Sequence, residues 1–270
     1  MQKNLTPAPR PEDSRSGKRG FLQNLFGLVA AAAALPSAIA ATAAPTPVLG
    51  MGAQPPRRPA IEGKRYGMVV DLRKCIGCQA CTVSCSMENL PPIGQFRTTV
   101  LQYEIDKPDG SMPAMVSLPR LCNHCEEPPC VPVCPVQATF QREDGIVLVD
   151  NERCVGCGYC VQACPYDARF INHETQTADK CTFCEHRLEV GLLPACVESC
   201  VGGARVIGDL NDPGSEINLR MQAHHQAHPD GIKVLKPDMK TQPRVFYIGL
   251  PDEFVNGVDG QASVRLVAEY

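Results

Sequence analysis

The sequence predicts an α+β chain of two related units, each made of short strands, short helices and long loops, followed by a C-terminal extension. Three observations predict it. Sixteen cysteines fall into four groups of four, with none left over. An apolar strand followed by a cysteine run occurs twice, as GMVVDLRKCIGCQAC from Gly67 and GIVLVDNERCVGCGYC from Gly145. The 270 residues include no tryptophan and only 5% aromatics, against 25 prolines and 22 glycines, which is little material for a large apolar core. Small folds short of apolar burial use covalent or metal staples instead. A net charge of −3 gives no support for nucleic-acid binding.

Residues 1–44 read as an export signal. A basic pair, Lys18-Arg19, precedes Phe21-Leu22, an alanine-rich apolar run broken by Pro36, and small-residue cleavage patterns around Ala40 and Ala43. The pair resembles a twin-arginine signal with Lys18 in the first arginine position. A permanent membrane helix is the competing reading, because the run is long enough to span. Its alanine content, its proline and its cleavage-like end favour removal. Residues 45–64, rich in Pro, Gly and Ala, read as an extended linker. Folded structure is expected from Arg65, as a cysteine-rich domain over 65–208 and an extension over 209–270. No other uncharged run reaches spanning length, so no direct membrane span is expected in the mature form.

The four cysteine groups are Cys75, Cys78, Cys81, Cys85; Cys122, Cys125, Cys130, Cys134; Cys154, Cys157, Cys160, Cys164; and Cys181, Cys184, Cys196, Cys200. Groups one and three have the spacing C-x2-C-x2-C-x3-C, the bacterial ferredoxin run. Its first three cysteines wrap one iron–sulfur cluster, and the fourth ligates the other cluster of a pair. Gly77 and Gly156 suit the tight loop. Backbone N–H groups turned toward a cluster help stabilise its negative charge. Pro135 and Pro165 follow the last cysteine of groups two and three, where a first helical turn tolerates proline. Eight disulfides or structural zinc are the alternatives. Disulfides do not require groups of four, and the repeated third cysteine departs from zinc-ribbon spacing. Thiolates held by iron can neither oxidise nor pair freely. Loading in a reducing cytoplasm followed by export of the folded chain is therefore the order of events that the signal suits.

The group order, with C-x2-C-x4-C-x3-C in group two and C-x2-C-x11-C-x3-C in group four, resembles the iron–sulfur electron-transfer subunits that partner molybdopterin enzymes of the dimethyl-sulfoxide-reductase family. The similarity covers about residues 65–208. It implies two ferredoxin-like units and four [4Fe-4S] clusters. It also implies that group one pairs with group four, and group two with group three. Cys75, Cys78, Cys81 and Cys200 would hold the first cluster, and Cys85, Cys181, Cys184 and Cys196 the second. Cys122, Cys125, Cys130 and Cys164 would hold the third, and Cys134, Cys154, Cys157 and Cys160 the fourth. The implied partners are a quinol-oxidising integral membrane subunit and a molybdopterin catalytic subunit. The implied location is periplasmic, membrane-associated through a partner.

No nucleophile triad, acid–base pair or phosphate loop is present, so the chain is expected to carry electrons without catalysing the reduction. Asp71 and Asp150, which match in the repeat, read as turn formers at strand ends. His224, His225 and His228 could bind a metal from one helix face but read better as a solvated segment. His124 and His186 read as packing or surface residues rather than as tuning groups. Lys180, beside Cys181, reads as a solvated charge, with stabilisation of a reduced cluster as the alternative. VFYIGL (245–250) is expected to be a strand. PDEFVNGVDGQASVRL (251–266) is expected to be irregular and exposed, and the resemblance implies that the extension docks on the catalytic partner.

Overall fold

A computed structural model describes residues 60–106, 112–256 and 264–268. The expected signal and most of the expected linker lie outside the described residues. Along the chain run β1 (Tyr66–Asp71), α1 (Ala80–Asn89), β2 (Thr98–Ile105), β3 (Ala114–Leu121), β4 (Thr139–Gln141), β5 (Val147–Val149), α2 (Tyr159–Gln162), β6 (Arg169–Ile171) and β7 (Ala178–Lys180). Then follow α3 (Glu185–Leu188), α4 (Ala195–Glu198), β8 (Arg205–Asp209), α5 (Glu216–Ala227), β9 (Ile232–Lys233), β10 (Val245–Ile248), α6 (Glu253–Asn256) and β11 (Val264–Ala268). Among the described residues no helix is long and apolar enough to cross a membrane.

The largest sheet has the order β8-β1-β10-β9. β1 lies at its centre because Met68, Val69 and Val70 are apolar on both faces, and all three are fully buried. It pairs antiparallel with β8 and parallel with β10. Val69 packs with Val206, Ile217 and Ile248, so α5 covers one face through Ile217. On the other face, Met68 and Val70 join a core that includes Leu118, Phe183, Tyr247 and Phe254 together with Cys81, Cys122, Cys125, Cys181 and Cys196. Much of the interior is therefore cysteine, as the poverty in large apolar residues requires.

A second sheet, β11-β2-β3, forms one wall, and two small hairpins, β4-β5 and β6-β7, complete the fold. The architecture is a mixed one of few, short elements. The C-terminal stretch departs from expectation. Instead of being irregular throughout, the stretch 251–266 includes α6 and part of β11, and its residues 257–263 lie outside the described residues. Phe254 is fully buried, with its ring 4.9 Å from that of Tyr103, and β11 pairs with β2. The pairing partner lies some 160 residues upstream, and local composition carries no signal of so distant a contact.

Candidate iron–sulfur sites

All sixteen cysteines lie in described segments, and none is disulfide-bonded. Among the described residues, no three or more Cys, His, Asp or Glu side chains are gathered as a single metal ion requires. The cysteines surround space instead. One cavity is lined by Cys75, Cys78, Cys81 and Cys200, with Arg205 beside them. Another is lined by Cys122, Cys125, Cys130 and Cys164, with Arg169 beside them. Each joins three cysteines of one group to the last cysteine of a distant group. Elsewhere, Cys85 sits within electrostatic range of Cys196 and Cys184, and Cys181 within range of Cys85, Cys196, Cys122 and Cys184. Of Cys134, Cys154, Cys157 and Cys160, Cys160 is buried and Cys154 packs in the same small apolar group.

A local device ends three of the four groups. After Cys134, Cys164 and Cys200, the third residue on has a positive φ: Gln137 at 53°, Asp167 at 50° and Gly203 at 59°. That left-handed residue turns the chain back, so that the next N–H points at the cysteine just passed. Ala138 N donates to Cys134 Sγ at 3.2 Å, and Ala204 N to Cys200 Sγ at 3.2 Å. The Ala168 N–H bonds Cys164 in the same way. A strand then begins at the following residue: Thr139 for β4, Arg169 for β6, Arg205 for β8. Each such N–H places a fixed partial positive charge at a sulfur.

Further donors come from elsewhere. Ala178 N reaches Cys154 Sγ at 3.3 Å and Phe183 N reaches Cys181 Sγ at 3.4 Å. Asn89, at the end of α1, points its amide at Cys85 Sγ (3.5 Å) and Cys184 Sγ (3.7 Å), while its oxygen accepts from Arg97. Burial pushes the Cys85 and Cys125 thiols up to about 12 and the Cys130 thiol to about 11. Burial works the same way at Cys134, but N–H donors from Thr139, Ala138 and Val136 outweigh it and hold that thiol below its ordinary value. Deprotonation of such buried thiols needs a bound cation to replace the proton. Four thiols around an enclosed space, with N–H groups aimed at the sulfurs, fit a [4Fe-4S] group.

The tight loops behave as the glycines indicate. Gly156 has φ +67°, and a Cβ there would stand 2.2 Å from the Gln176 carbonyl oxygen. Asp71 and Asp150 form the expected turns, accepting from the N–H groups of Arg73 and of Glu152 and Arg153. His124 is fully buried, accepts from Val147 N through Nδ1 at 3.0 Å and stacks on Phe183 with ring centroids 3.8 Å apart. Burial, followed by the nearby Lys180, Arg169 and Arg244, holds its pKa well below the ordinary value, so it is a neutral packing group. His186 bonds Glu88 at 2.7 Å at the surface. On α5, His225 is exposed and His224 half-buried, and the ring of His224 lies 5.0 Å from that of His228.

Lys180 is a correction. It is 1% exposed, not solvated, and its ammonium donates to the carbonyls of Val147 and Cys181. Arg169 and Arg205 are functional candidates that the structure adds. Their signal in the sequence is positional: each stands five residues after the last cysteine of its group.

Two overlapping matches to 4Fe-4S dicluster domain families cover residues 74–138 and 113–210. The chain is 61% identical to the B subunit of tetrathionate reductase from Salmonella typhimurium, over 94% of this chain and 96% of that one. The chain belongs to the family of tetrathionate reductase B subunits. A second member, from Archaeoglobus fulgidus, is 45% identical over 70% of this chain and 84% of its own. The B chain of polysulfide reductase from Wolinella succinogenes is 41% identical over 68% of this chain and 94% of its own. Within this family the role of the chain is electron transfer, and its dicluster domains coincide with the cysteine-lined cavities.

Proposed function

We propose that this chain carries electrons through four [4Fe-4S] clusters, from a quinol-oxidising integral membrane subunit to a molybdopterin catalytic subunit that reduces tetrathionate to thiosulfate. A Tat-type signal exports it already folded, and it works in the periplasm, held at the membrane by a partner. Each bound cluster supplies a one-electron centre. The chain's own residues fix where those centres sit. The sixteen cysteines are the proposed ligands, with group one paired to group four and group two to group three. The observation that carries the reading is the pair of cavities in which three cysteines of one group meet the last cysteine of another. The overall identity to a tetrathionate reductase B subunit favours tetrathionate. The similarity to polysulfide and putative dimethyl sulfoxide reductase subunits keeps polysulfide, thiosulfate or sulfoxide as the alternative acceptor.

The test is tetrathionate reduction by membranes with and without this chain, driven once by quinol and once by reduced viologen dye. Loss of the quinol-driven rate alone is the expected result, because the dye bypasses the chain. If neither rate changes, tetrathionate is the wrong substrate. Iron and acid-labile sulfide per purified chain count the clusters.

A further inference from the structure

Two arginines stand in the interior without an acidic partner. Arg205 is 2% exposed and Arg169 is 4% exposed. Among the described residues neither forms an ion pair with a carboxylate. Arg205 Nη1 and Arg169 Nη2 are buried with no hydrogen-bond partner, while each guanidinium donates to a threonine, Arg205 to Thr98 at 2.9 Å and Arg169 to Thr139 at 3.3 Å, and meets a cysteine thiol, Cys196 for Arg205 and Cys160 for Arg169. A buried cation without a carboxylate partner is costly, and an unpartnered Nη adds to that cost. Something anionic is needed beside each, and among the described residues the cysteine sulfurs are the groups placed to supply it.

The sulfurs come from two proposed quartets in each case. Arg205 lines the cavity of Cys75, Cys78, Cys81 and Cys200, and is also influenced by Cys196 and Cys181 of the neighbouring quartet. Arg169 lines the cavity of Cys122, Cys125, Cys130 and Cys164, and also feels Cys160 of the quartet beyond. The repeated position after the last cysteine makes the two arginines equivalents in the two units.

We infer that Arg205 and Arg169 are potential-setting residues, each lodged between two adjacent cysteine quartets and each raising the reduction potentials of the two clusters beside it. The inference rests on the four-cluster reading above. A cluster with four thiolates is anionic and gains one more negative charge on reduction. A fixed cation in a low-dielectric interior stabilises the reduced form more than the oxidised form. Because each guanidinium is shared by two quartets, its effect falls on a pair of neighbours and fades toward the other pair.

The test is a redox titration of the purified full chain, followed by electron paramagnetic resonance, with iron and sulfide counted in the same samples. The unsubstituted chain must carry four clusters. Fewer would sink the four-cluster reading, independently of the arginines. In R205Q two of the four midpoint potentials should fall, and in R169Q the other two. R205K and R169K, which keep the charge, should restore most of the shift. Unchanged potentials, a shift of the same pair in both variants, or a lysine variant displaced as far as the glutamine variant would overturn the inference. If a glutamine variant fails to load clusters, loading of its lysine counterpart supports the need for charge. Failure of both means that shape rather than charge is required, and the inference is wrong.

Discussion

Ser84 and Ser199, 115 residues apart in the chain, share a hydroxyl–hydroxyl hydrogen bond of 2.6 Å. Each immediately precedes the last cysteine of its group, Cys85 or Cys200. The bond therefore joins α1 to the end of α4, beside the cavity where Cys200 of group four meets the cysteines of group one. Ser84 Oγ also lies 3.3 Å from the carbonyl oxygens of Cys81 and Ala195. Two short helices that cannot be stable alone are held in register by this contact and by the cysteines.

Ser84→Ala should loosen that joint. A part-buried hydrogen bond contributes about 1 kcal/mol, which corresponds to about a fivefold change in an equilibrium or rate. Bleaching of the visible iron–sulfur absorbance in guanidinium should accelerate by about that factor in S84A and in S199A. The double variant should be little worse than either single one, because both changes remove the same bond. Additive effects would mean that the two serines act separately.

Gly156→Ala and Gly203→Ala should separate two costs of a positive φ. At Gly203 (φ +59°) a Cβ would meet nothing within 4 Å, so alanine incurs only the left-handed backbone penalty, about 1–2 kcal/mol. At Gly156 the Gln176 carbonyl oxygen would be 2.2 Å away, and backbone must move. We expect G203A to load its iron nearly normally with modestly faster bleaching. G156A should lose the iron held near Cys154 and Cys157. Equal iron and sulfide contents in the two variants would refute the distinction.

The contrast between glycine and arginine shows what the amino-acid sequence makes legible. Gly77 and Gly156 announce themselves because a tight cysteine loop needs them. The four cysteine groups announce themselves by spacing, and the strand of the repeat by its apolar run. Arg169 and Arg205 do not, since arginine is usually a surface residue and only the fold shows that five positions after Cys164 or Cys200 is the interior. Lys180 reads as solvated for the same reason, and the fold buries it. β11 escapes a local reading because its partner, β2, is distant in sequence. Spacing does not show which groups pair; the resemblance supplies that.

Phe254→Ala tests whether the C-terminal segment belongs to the fold. The ring is fully buried and meets Tyr103 edge-on, in the core shared with Met68, Tyr247 and several cysteines. Truncating a buried phenylalanine costs about 3–5 kcal/mol. F254A should therefore bleach far faster than the unsubstituted chain. A change within error would show that residues 251–256 are peripheral. Deleting 251–270 to test partner docking would be confounded by the same loss, so docking is better probed by substitutions at exposed positions such as Asp252 and Glu253.

Asp71→Asn should reveal an acid-side dependence. Asp71 is 1% exposed, and its carboxylate accepts from Arg73 Nε at 2.9 Å and Nη2 at 2.8 Å, and from Arg73 N at 3.2 Å. Burial disfavours its charge, but the bonds and charge of Arg73 outweigh that and hold its pKa below the ordinary value. A carboxyl depressed in the folded chain takes up its proton at higher pH when unfolded. Its contribution is thus fully present above the unfolded value of about 3.9 and is lost as pH falls through the folded pKa. The difference in unfolding rate between the unsubstituted chain and D71N should be constant above about pH 5. It should narrow as the pH is lowered from there, even though acid speeds cluster loss in both. A difference that does not narrow would place the stabilisation in the turn's backbone geometry rather than in the ionised Asp71–Arg73 pair.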